Sequence, residues 1–154
     1  EVVSGLYNDG KIRTLTIRRD MERLEDYFID DLMRNNSLVE LQKMLEQNPS
    51  DYLINAAIGR YHLTSDNDVK SAVEAYREIL KNPKSPQFYR RQFGFVLAKN
   101  PDYQENAYQL LKKIYINVPA IFREKDVIEL SNIENHLNIP SDERVTKIDR
   151  YTKD

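Results

Sequence analysis

At 154 residues, with 40% hydrophobic and 31% charged side chains, the chain fits one folded domain with a buried core and is too apolar for disorder. A net charge of −2 gives no general attraction to nucleic acid or anionic lipid, and the lack of cysteine excludes disulfides and thiolate metal sites. No apolar run approaches the length needed to cross a bilayer, so no direct membrane insertion by this segment is expected; opening on Glu1 without a signal-like stretch, it reads as an excised domain or processed product whose targeting segment or anchor lies elsewhere.

In chain order, residues 1–17 come first. Val2 to Tyr7 and Lys11 to Ile17 are β-favouring runs on either side of Asn8-Asp9-Gly10, the pattern of a short N-terminal β-hairpin or a linker. From about residue 18 the apolar positions recur at steps of three and four, as in Ile54, Ala57, Ile58 and Tyr61, or Val69, Ala72, Val73, Tyr76, Ile79 and Leu80. Punctuation agrees with that period. Ser37 precedes Glu40 by three residues, as a capping box requires, and Ser85-Pro86 and Asn100-Pro101 each offer a cap followed by a first-turn proline. Asn48-Pro49, Asn82-Pro83 and Val118-Pro119 stop the helices before them. The expected helices are 18–34, 37–47, 52–64, 67–81, 86–99, 103–117 and 122–137, joined closely enough to fold back as antiparallel hairpins. After Pro140 the tail (residues 138–154 overall) is polar, with room for one short helix.

A longer period lies over the helical one. Gly59 and Gly94 are 35 positions apart, as are Ala72 and Ala107, Ile58 and Phe93, and Tyr76 and Leu111, while the helix-ending prolines fall at 49, 83 and 119. A repeated unit of this length, two helices and a turn, is the mark of an α-solenoid. Glycine inside a helix costs about 1 kcal/mol against alanine, a cost tolerated where two backbones must come close. Ala72 and Ala107 are the expected small residues opposite the glycines, and Tyr76 and Leu111 the large residues that fill the space between hairpins.

These residues resemble the tetratricopeptide (TPR) repeat family. Ile58-Gly59, Ala72, Tyr76 and Pro83 match one repeat, and Phe93-Gly94, Ala107, Leu111 and Pro119 the next; Asn55 and Arg90 stand where the family carries an aromatic. The resemblance implies an all-α, α-α superhelix with units at about 18–49, 50–83 and 84–119 and a capping helix at 120–137. It also implies a concave groove lined by Leu53, Ala56, Arg60 and Leu63 in one unit and Phe88, Arg91, Phe95 and Lys99 in the next, holding a partner protein or peptide. Ala56 and Arg60 replace the Lys and Asn by which one TPR subtype clamps chaperone tails, which speaks against that ligand.

Lys81, Lys84, Arg90, Arg91 and Lys99 form a stretch with no acid among them, suited to an acidic partner, whereas Asp20, Glu22, Glu25, Asp26, Asp30 and Asp31 crowd the first helix. No nucleic-acid-binding motif appears, and no HExxH, phosphate loop, nucleophile elbow or dinucleotide glycine pattern is present. His62 and His136 stand in different units, and His62 reads as a packing residue; no catalytic residue, metal site or cofactor is assigned. The leading expectation is therefore a non-catalytic scaffold or adaptor, a soluble domain of the kind that serves as the soluble part of a larger or membrane-tethered assembly factor. Beside it stand a structural module that forms homo-oligomers through its repeat ends, and a regulatory domain for an enzyme on the same polypeptide.

Overall fold

The computed structural model describes residues 10–147, with side chains from Met21 onward. Among these residues it is all-α: α1 (Gly10–Asn35), α2 (Leu38–Gln47), α3 (Tyr52–Thr64), α4 (Val69–Lys81), α5 (Phe88–Leu97), α6 (Gln104–Asn117) and α7 (Glu124–His136), with short 3-10 turns at Pro101–Tyr103, Pro119–Ile121 and Ser141–Glu143. Residues 1–9 of the expected hairpin lie outside the described residues. From Gly10 on, its second arm is instead the first turns of α1. β-propensity is a weak and context-dependent preference, and it does not stop these residues from continuing a helix.

The helix ends follow local chemistry. Ser37 and Glu40 close the capping box of α2, with Glu40 N donating to Ser37 Oγ at 3.2 Å and Ser37 N to Glu40 Oε1 at 2.7 Å. Asp51 receives the amides of Leu53 and Ile54 at the start of α3, and Asp68 that of Ser71 at the start of α4. Asn82 stops α4 and reaches back with its side-chain amide to Ser50 O at 2.7 Å. Ser85 does not cap α5 as expected. Its hydroxyl donates to Asn82 O, and the helix starts at Phe88.

The chain divides into two compact units between Tyr89 and Arg90. In the first, α3 packs along α4 and also carries α1 and α2; Ile29, Leu41, Ile54, Ala57, Ala72, Tyr76 and Ile79 are buried there. Their removal from water supplies the main stabilisation, about 25 cal/mol per Å² of apolar surface. In the second unit α6 packs on α7, and the buried set includes Val96, Leu97, Ala107, Tyr108, Leu111, Phe122 and Leu130.

One contact recurs in both units. A Cβ placed on Gly59 would lie 2.9 Å from Cε2 of Tyr76, and one on Gly94 would lie 2.6 Å from Cδ2 of Leu111. The nearest neighbours of the two glycines are thus Tyr76 and Leu111 and not, as expected, Ala72 and Ala107, which are nonetheless fully buried. Ile58 and Phe93, each just before its glycine, are buried as well.

Candidate functional site

The eight positions expected to line a groove have unlike surroundings. Ala56, Phe88, Arg91 and Phe95 are buried, Leu53, Arg60 and Leu63 are half-buried, and Lys99 is exposed. Arg60 is drawn inward by Asp26, with Nη2 donating to Oδ1 at 2.6 Å. Arg91 is fully buried: its guanidinium donates to the carbonyl of Ile121, and its Nε lies 3.5 Å from Oδ2 of Asp126. Asp126 also accepts the amide of Arg123 at 2.9 Å, so Arg91 serves the interior of the second unit. Nε of Arg123 lies 3.1 Å from the same oxygen, so Asp126 is shared by two arginines, and Arg91 is a structural element through its full burial and its bond to the Ile121 carbonyl.

Two of the expected positions do converge. Phe95 and Lys99 line a cleft of about 250 Å³ in the second unit, with Phe95, Ala98 and Ile133 giving apolar surface and Lys99, Gln104, Glu129, Asn132 and His136 giving polar groups. Residues from the end of α5, the start of α6 and one side of α7 meet there. Burial raises the Glu129 carboxyl above the ordinary carboxylate range, and the nearby Lys99 ammonium works against that rise. The cleft therefore offers a cation, an acid, two amides and an imidazole around a small apolar patch. Sequence spacing reached Phe95 and Lys99 but missed the α7 side, since nothing local to residues 129–136 marks them as neighbours of Lys99.

Two other buried carboxylates, Glu25 and Glu134, accept from neutral donors. Glu25 accepts the hydroxyls of Tyr52 and Tyr89, at 2.9 and 2.8 Å. Glu134 accepts Tyr108 Oη at 2.7 Å, Val145 N at 2.8 Å and Thr146 Oγ1 at 2.6 Å, which ties the segment after α7 to the helix. Burial, and then donation to these carboxylates, pushes all three phenols above their usual value.

His62 is a packing residue with polar neighbours. Its Nδ1 lies 3.1 Å from Oδ2 of Asp66, and potential ligand atoms of His62, Asp66 and Asp68 all fall within 4.8 Å of one another. This is the group, among the described residues, that could hold a metal ion. Asp68 already serves as the cap of α4, where the hydroxyl and amide of Ser71 hold its carboxyl below the ordinary range. The four-residue step from His62 to Asp66 was the available signal for the pair.

A surface unmarked by the sequence reading lies on α1. Met21, Leu24, Tyr27 and Phe28 are 42, 54, 66 and 46% exposed, while Glu22, Glu25 and Ile29 turn inward. The first helix thus carries an apolar stripe on its outer side, while Glu22 and Glu25 are among the residues it buries. No helix of the described residues is long and apolar enough to cross a membrane.

No family model matches the chain, and neither the curated proteins nor the solved structures contain a match to it.

Proposed function

We propose that this chain is a non-catalytic, TPR-like module of helical hairpins that holds a segment of a partner protein. The observation that carries the reading is the recurrence of one crossing: glycine against a large side chain at Gly59/Tyr76 and again at Gly94/Leu111, at the same 35-residue offset. Equivalent crossings are what repeated hairpins need in order to pack alike, and hairpin repeats serve as binding surfaces. On this reading the second unit takes the ligand in the Phe95–Lys99 cleft. An apolar anchor side chain rests on Phe95, Ala98 and Ile133, and an acidic neighbour meets Lys99.

The reading gives the chain no chemistry of its own. Support comes from the engagement of Glu25, Glu134 and Asp126 by hydroxyls, amides and arginine. Selection from a displayed peptide library, with the wild-type chain as bait, tests the cleft. Peptides pairing an apolar residue with an acid are expected, and they should lose affinity for a Lys99→Glu, Asn132→Arg variant, since both replaced side chains are exposed. Peptides that bind the variant equally well would remove the cleft from the reading.

A further inference from the structure

We propose that His62, Asp66 and Asp68 form a binding site for one zinc ion, which clips the end of α3 to the start of α4. His62 sits near the end of α3, Asp66 in the connection and Asp68 at the head of α4, so the donors come from both helices and the turn between them. They meet because that turn is closed onto α3. Asp68 N donates to His62 O at 2.8 Å and to Asp66 Oδ1 at 3.2 Å, and Asn67, between the two acids, takes a left-handed φ of 53°.

The geometry suits an ion better than a finished hydrogen bond. His62 is nine-tenths buried, and its Nδ1 faces both oxygens of Asp66 at nearly equal distances, 3.3 and 3.1 Å. A charge-assisted hydrogen bond favours one oxygen at about 2.7–2.9 Å. A separation of about 3.3 Å is instead that of neighbouring donors around a tetrahedral ion with bonds of about 2.0 Å. Asp68 is oriented from behind, with Ser71 N donating to Oδ1 at 3.0 Å and Ser71 Oγ to Oδ2 at 2.7 Å. Outer bonds of this kind fix a ligating carboxylate and leave each of its oxygens a further lone pair. Potential ligand atoms of the three residues already lie within 4.8 Å of one another, so small side-chain shifts close them on one ion.

The donor set selects the metal. An imidazole with two carboxylates suits zinc, whereas magnesium and calcium take oxygen donors. Two ionised acids balance the double charge of the ion, and three protein ligands leave one position for water. Because α3 packs along α4, an ion at this turn stabilises the pairing of the two helices. The site belongs to the first unit and is independent of the cleft in the second.

Isothermal titration of the full chain with zinc chloride tests the proposal, and one ion per chain is expected. Zinc at a hundredfold excess over its Kd should raise the melting midpoint by roughly 5 °C, while magnesium should leave it unchanged. Asp66→Asn alters an exposed side chain, and Asp68→Asn keeps a good helix cap, so both variants should fold. Each should weaken zinc binding by roughly a hundredfold. His136→Gln, at the other histidine of the chain, should bind zinc as the wild type does. Absence of stoichiometric binding up to millimolar zinc overturns the proposal. So does binding that survives Asp66→Asn and Asp68→Asn together, or that is lost in His136→Gln.

Discussion

Gly94 lies so close to Leu111 that a Cβ on the glycine would come within 2.7 Å of Cγ, the branch point of the leucine side chain. A branch point cannot swing aside as a flexible terminus can. Gly94→Ala should therefore destabilise the second unit by about 1–3 kcal/mol, the usual range for overpacking, even though alanine favours the helix by about 1 kcal/mol. Urea unfolding gives the value. Combining it with Leu111→Ala should give less destabilisation than the two changes summed, because the smaller side chain makes room; strict additivity would show that the glycine is not needed for this approach.

Gly59 is the counterpart in the first unit, where the obstacle is the ring of Tyr76, with Cε2 at 2.9 Å and Cδ2 at 3.1 Å from the added Cβ. Gly59→Ala should also lower the unfolding midpoint, though by less than Gly94→Ala, because the ring can tilt by a few tenths of an ångström. The reverse order in the same denaturation assay would contradict the two sets of distances.

Two basic residues, Arg91 on α5 and Lys99 just beyond its end, both expected from the sequence to face a ligand, should behave in opposite ways. Arg91→Ala empties a fully buried site, takes the donor from the Ile121 carbonyl and leaves Asp126 to Arg123 alone, and should cost about 2–5 kcal/mol of stability, while Lys99→Ala should stay within about 0.5 kcal/mol of wild type. Thermal melts followed by circular dichroism are sufficient to compare them. A stable Arg91→Ala protein would mean that the ion pair with Asp126 is dispensable.

Alkaline pH should open the fold through its tyrosines. Tyr52, Tyr89 and Tyr108 have folded-state values raised above the unfolded value of about 10, so their contribution is full below about pH 10 and is lost as pH rises beyond it. These three of the chain's ten tyrosines should form tyrosinate only as helical dichroism is lost. Complete ionisation near pH 10 with helicity intact would refute the assignment.

Removing the clamp at Glu134 should free the segment that follows α7. Glu134→Ala deletes the acceptor for Tyr108, Val145 and Thr146, leaving buried donors unsatisfied at about 1–3 kcal/mol each at most. Hydrogen exchange at the Val145 amide should quicken markedly relative to the wild type, and an unchanged rate would show that the segment is held by other contacts.

The helices were legible in the sequence because their signals are local. Ser37 with Glu40, Asn100 before Pro101, and Asn82 before Pro83 act over two to four residues, the reach of a capping hydrogen bond or of a proline ring. The paired glycines were legible too, as a recurrence at 35 positions, and their burial against large side chains gives that recurrence a physical cause. The direction each helix faces was decided by tertiary structure. Arg91 and Lys99 read alike in the sequence, yet one is enclosed by Asp126 and Ile121, some 30 residues downstream, and the other faces water. Glu25 looked like one more acid on a solvated helix, but Tyr89, 64 residues later, makes it a buried acceptor. Composition and periodicity determine that a helix buries a face; which neighbours arrive to bury it depends on contacts between residues far apart in the chain, and these also decide which apolar side chains, Leu24 and Phe28 among them, are left outside.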